Sequence, residues 1–199
     1  MQGFIQLMKR HLKLYFRDRA SVFFSLLSML IVLGLMLFFL GDMNISSLTD
    51  LLGEFPNRNA DTDKQNAELF VMLWTCGGIL SINAATVTLA VYSSMISDRK
   101  KGVLNSIYTA PVSRLTISAA YVTSAWICSV IICTLTLAIS EIYCIIQGGA
   151  VFTLVSHLKL MGMIMANSFT YASLMYLAAV LVKTEGAWSG MGMVIGTLV

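Results

Sequence analysis

The sequence predicts an all-α, polytopic membrane protein: a cytoplasmic amphipathic connecting helix, four complete transmembrane helices and the start of a fifth. Three observations predict it. Residues 69–97 and 115–146 are long hydrophobic runs, the first without any Asp, Glu, Lys or Arg and the second with Glu141 alone. Between them lies a short basic segment, 97–114 (SDRKKGVLNSIYTAPVSR), whose charges would each cost several kcal/mol in lipid. The chain is 57% hydrophobic and 12% charged, against about 45–50% and 25% for soluble domains, so its solvent is the bilayer.

Residues 1–19 open the chain with Lys9, Arg10, Lys13, Arg17 and Arg19 against Asp18. Apolar Phe4, Ile5, Leu7, Met8, Leu12, Tyr15 and Phe16 alternate with polar residues in steps of three and four, and His11 is marginal. That spacing makes an amphipathic helix for the cytoplasmic interface, its basic face suited to anionic headgroups. Residues 20–40 form the first span. They number 21, matching a core of about 30 Å and exceeding the roughly 7–15 residues of a signal peptide's apolar region.

Residues 41–68 are hydrophilic and acidic, with Asp42, Asp50, Glu54, Asp61, Asp63 and Glu68 against Arg58 and Lys64. Gly53, Pro56, Asn57 and Asn59 are turn residues, so the expectation is a partly ordered extracytoplasmic loop. Residues 69–97, 115–146 and 159–182 supply three further spans, the last two separated by a Gln147-Gly148-Gly149 turn. Lys183-Thr184-Glu185 is a tight break. Residues 186–199 then begin a fifth apolar run of 14 residues, too short to cross. The expectation is an incomplete fifth span in a fragment or truncated product. Lys/Arg excess places 1–19 and 97–114 inside and 41–68 outside; parity alone puts 147–159 outside and 183–185 inside.

Several functions are disfavoured by the residues themselves. Both basic clusters abut spans, which argues against a nucleic-acid partner. Cys76, Cys128, Cys133 and Cys144 lie within apolar runs and form no C-x-x-C pair, so they read as packing residues. No Walker-type phosphate loop occurs, so ATP is not bound in that way by this chain. No nucleophile–base or metal constellation lies at a common depth, which weakens an enzyme reading. Glu141 is the one acidic residue inside an apolar run, but it lies about 39 Å of helix beyond Leu115. An outer-interface position is expected for it, with His157 and Lys159 at the same surface and no third ligand to make a metal pair.

Gly186-x-x-x-Gly190 and Gly192-x-x-x-Gly196 permit close helix contact on two faces of the last run. Met161, Met163, Met165, Met175, Met191 and Met193 offer adaptable surface, for a lipophilic path or a plain lipid-facing wall.

Within 97–114, Gly102 opens a segment whose Val103, Leu104, Ile107 and Tyr108 share one helical face. Pro111 closes it by pushing Ala110 out of the helical region. This is either an ordinary interfacial turn or a short docking helix. The order DRKKGVLNSIYTAPVSR resembles the cytoplasmic loop of permeases of the ATP-binding-cassette type-2 exporter family. The N-terminal amphipathic helix is similar to that family's connecting helix, and the LVKTEGA break to its fourth-to-fifth span turn. The resemblance covers the chain in order of elements, but the family's sixth span and the end of its fifth have no counterpart here.

What the resemblance implies is a single permease domain over 1–199, half of an efflux transporter, in a bacterial plasma membrane with its N-terminus cytoplasmic. A second permease half, identical or different, would complete the path. A separate ATPase subunit would hold the ATP, leaving this chain without catalytic residues or cofactor. Residues 97–114 would be the coupling helix, with Asp98, Arg99, Lys100, Lys101, Gly102, Val103, Leu104, Ile107, Tyr108, Pro111 and Arg114 contacting the ATPase. A subunit of a non-ABC secondary transporter or channel is the alternative, although such proteins normally show paired intramembrane charges or repeated broken helices. The transported substrate is not legible.

Overall fold

The computed structural model describes residues 2–35, 41–55, 59–103, 113–146, 153–182 and 184–198, which form seven helices and no strand. Helix α1 (Gln2–Arg17) meets α2 (Arg19–Leu35) at a bend of 65°. The bend has a local cause. Asp18 caps α2: its carboxylate accepts from the Ser21 amide at 3.3 Å and the Ser21 hydroxyl at 2.6 Å.

Helix α3 (Gly41–Gly53) is followed by α4 (Ala60–Lys100), and the two pack together. This corrects the expectation of a loop over 41–68. Ile45, Leu48 and Leu52 recur at helical spacing, in steps of three and four. Asn59 is a cap rather than a breaker, its side chain accepting from the Asp61 amide, and Asp61 and Asp63 favour the positive end of α4. Consequently α4 has 41 residues, about 60 Å of helix at ~1.5 Å per residue, twice a hydrocarbon core.

Helices α5 (Arg114–Ile146), α6 (Leu154–Leu181) and α7 (Glu185–Leu198) complete the fold. Among the described residues α4, α5 and α6 are each long and apolar enough to cross a membrane. The expected first span, 20–40, is described only as far as Leu35, which leaves 36–40 outside.

The three long helices form the core. Contacts Ser118–Tyr176, Ser129–Ser168 and Thr134–Met161 make α5 antiparallel to α6. Tyr92 donates to the Ala172 carbonyl and Arg99 to that of Val182, so α4 runs parallel to α6. The interior is unusually hydroxyl-rich: Thr88, Ser124, Ser129, Thr136, Ser140 and Ser168 are all buried. Asn83 donates to Thr136 at 2.7 Å and Ser129 to Ser168 at 3.0 Å. Hydrophobicity does not drive helices together in lipid, so small residues and interhelical hydrogen bonds do. The outer wall is correspondingly apolar, with Phe23, Phe24, Phe70, Trp74, Leu158, Phe169 and Leu181 exposed. Cys76, Cys128 and Cys133 are buried, as expected of packing residues.

Among Gly186, Gly190 and Gly192 it is Gly192 that makes a close approach, a Cβ there lying 3.2 Å from a Leu89 methyl, while Gly196 lies outside the residues whose surroundings are described. Gly186 and Gly190 have nothing within 4 Å.

Candidate functional site

Helix α4 ends in a charged turn where four elements converge. Gly102 adopts φ 72°, and its amide donates to the Arg99 carbonyl while the Lys101 amide donates to that of Ser97. A left-handed residue just past a helix end is the position glycine suits best. Gly102 therefore stops α4 rather than merely opening the next segment.

The three residues before that turn each bind a different element. Asp98 Oδ2 lies 2.8 Å from Arg10 Nη2 of α1. The approach is close but not aligned as a hydrogen bond, so it acts as a charge contact. Arg99 Nη1 donates to the Val182 carbonyl at 2.9 Å and sits 3.5 Å from that of Ala179. Those carbonyls lie at the C-terminus of α6, where a cation also meets the negative end of the helix dipole. Lys100 Nζ reaches Glu185 of α7 at 2.7 Å. Thr184 caps α7 through its hydroxyl to the Ala187 amide at 3.3 Å, which places Glu185 in the first turn.

Beneath the Arg10–Asp98 contact, His11 is 1% exposed and stacks on Tyr121 of α5, ring centroids 4.0 Å apart. Burial, reinforced by the adjacent Arg10 charge and opposed by Asp98, lowers its pKa to about 4. The imidazole is neutral near pH 7, and α1 docks on α5 through an uncharged ring.

Of the eleven residues expected at the coupling loop, Asp98, Arg99 and Lys100 are thus held by contacts within the chain. Lys101 and Arg114 carry no ion pair among the described residues. Val103 is half-buried, and Leu104, Ile107, Tyr108 and Pro111 lie outside the described residues. Arg114 starts α5, with Ser113 capping that helix through its hydroxyl to the Thr116 amide at 3.2 Å.

At the opposite end of α5 and α6, His157 Nε2 lies 2.9 Å from Glu141 Oε2, and its Nδ1 faces the Thr153 carbonyl at 3.3 Å. The sequence placed these residues at one surface without pairing them. The contact joins α5 to α6, and no cluster of three His, Cys, Asp or Glu able to hold a metal occurs among the described residues.

A family model described as ABC-2 type transporter matches residues 2–199. The chain belongs to the ABC-2 type transporter family. It is accordingly an ABC-2 membrane subunit, all-α and multi-pass. No curated protein and no solved structure matched it.

Proposed function

We propose that this ABC-2 subunit is the permease half of an exporter and couples to a separate ATPase through residues 97–114. The observation that carries this reading is the junction at the end of α4. Asp98, Arg99 and Lys100, immediately before the loop, are tied to α1, α6 and α7 respectively. A force applied to the loop would reach three other helices through those contacts without crossing the bilayer. Residues 97–114 and α1 then face the cytoplasm of a plasma membrane, as their Lys/Arg excess favours. A second permease half, identical or different, completes the path along the exposed apolar wall, and ATP is bound in the partner rather than in this chain.

The test is the double variant Leu104→Asp/Ile107→Asp, co-expressed with the cognate ATPase. Burying each apolar side chain in a partner's groove contributes roughly 1.5–3 kcal/mol. Affinity for the ATPase should therefore fall by roughly two to four orders of magnitude, with unchanged amounts of permease in the membrane fraction. Retention of the ATPase at wild-type stoichiometry, with normal stimulation of hydrolysis, would refute coupling through this loop.

A further inference from the structure

We propose that the cavity between the junction-side ends of α4, α5 and α6 binds a phosphate-bearing anion, supplied as the headgroup of an anionic phospholipid. The cavity measures about 310 Å³, near the lower end for ligand-sized clefts. Arg99 from α4 and Arg114 from α5 both line it, together with Ser118 and Tyr176. Two arginines lining one space carry like charges that repel each other unless a carboxylate or a ligand intervenes. No carboxylate lines this cavity among the described residues. The two nearest along the charged turn are already engaged, Asp98 with Arg10 and Glu185 with Lys100.

The remaining donors point to the same chemistry. Both bonds that Arg99 makes run through Nη1, leaving its Nη2 and Nε hydrogens without an acceptor among the described residues. Tyr176 donates to Ser118 Oγ at 2.7 Å, so the Ser118 hydroxyl hydrogen is available to an oxygen in the cavity. Forked guanidiniums with a hydroxyl donor match the several acceptor oxygens of a phosphate. Met95 and Val180 make the adjoining wall apolar, as acyl or glycerol carbons would require. Basic pockets between helix ends at the cytoplasmic surface are where anionic lipid headgroups lodge. The lipid as source rests on the membrane orientation proposed above; the anion chemistry does not, and neither needs the ATPase.

The experiment uses the full chain, delipidated in neutral detergent, without any ATPase. The probes are dioleoylphosphatidylglycerol, dioleoylphosphatidylcholine with identical acyl chains, and sodium phosphate. Lipid retention is read by native mass spectrometry and stabilisation by the thermal midpoint. The phosphatidylglycerol form should be retained preferentially, and Arg114→Gln should cut that preference roughly fivefold. Ser118→Ala, which removes one hydroxyl, should lower it in the same direction. Lys64→Gln, an exposed charge near the start of α4 and far from this cavity, should leave it intact. Equal retention of the two lipids without phosphate stabilisation overturns the site. So does an Arg114→Gln preference equal to wild type, or an equal loss in Lys64→Gln, which would mark diffuse surface attraction. Stabilisation by inorganic phosphate that Arg114→Gln abolishes, without a lipid preference, supports the anion site and overturns the lipid as its source.

Discussion

Lowering the pH should undock the N-terminal helix, because His11 must stay neutral to remain where it is. The ring is 1% exposed against Tyr121, and its pKa in the folded protein is about 4, compared with about 6.5 for a histidine in water. The undocked helix therefore binds more protons than the docked one between those two values. Docking is fully stabilised above about pH 6.5 and is lost progressively as pH falls towards 4. The whole interval is worth about 3 kcal/mol, of which about 2 kcal/mol is lost by pH 5.

Hydrogen–deuterium exchange over residues 2–17 in nanodiscs, corrected for the intrinsic pH dependence of exchange, reads this directly. Protection of α1 should fall roughly thirtyfold between pH 7.5 and pH 5, while α5 and α6 keep theirs. The neighbours set the sign of two further variants. Arg10→Gln removes a charge that lowers the His11 pKa, so the acid-dependent part of undocking should shrink. Asp98→Asn removes one that raises it, so undocking should grow. His11→Phe keeps a ring against Tyr121 and should abolish the dependence. Equal α1 protection at both pH values in the wild type, or a surviving dependence in His11→Phe, would refute the reasoning.

Two other substitutions follow from the packing. Gly192→Leu drives a side chain into Leu89 and should destabilise by about 1–3 kcal/mol, whereas a Cβ at Gly190 meets nothing within 4 Å, so Gly190→Ala should be near neutral; thermal unfolding in detergent compares them. Asn83→Leu removes the bond to Thr136 but leaves that hydroxyl donating to Ile132, so the loss should be about 0.6 kcal/mol and at most about 2, measured by a double-mutant cycle with Thr136→Val.

The elements that were legible in the sequence are those set by local periodicity. The alternation of Leu7, Met8, Leu12 and Tyr15 with Lys9, Arg10 and Lys13 is enough to specify α1, and long apolar runs, broken only by Glu141 and by His157 and Lys159, are enough for α5, α6 and the 69–97 part of α4. Residues 41–68 misled because their polar composition and turn-forming Asn59 resemble a loop. Asparagine at a helix start gives the same local signal, and only the spacing of Leu48, Leu51 and Leu52 could have distinguished them. His11 stood between the polar and apolar faces of α1, and nothing local shows that it meets Tyr121 more than a hundred positions on. The partners of Asp98, Arg99 and Lys100 were illegible for the same reason. Such pairings belong to the tertiary fold, and charge alone suggested a surface turned wholly outward.

That three consecutive residues reach three different helices has a geometric basis. Successive side chains on an α-helix are 100° apart, so Asp98, Arg99 and Lys100 sweep about 200° around the end of α4. One long helix ending among neighbours can thus hold α1, α6 and α7 at once, and Gly102 then ends it before a fourth charge is drawn in. The three ties are unequal. Lys100 and Glu185 are 71% and 44% exposed, which limits their pair to roughly 0–1 kcal/mol. Asp98 is 13% exposed but meets Arg10 without hydrogen-bond alignment. Arg99 makes an aligned, charge-assisted bond to the end of α6, the kind worth about 1.5–3 kcal/mol. A displacement of the α4 terminus should therefore carry α6 with it most firmly, and α7 least.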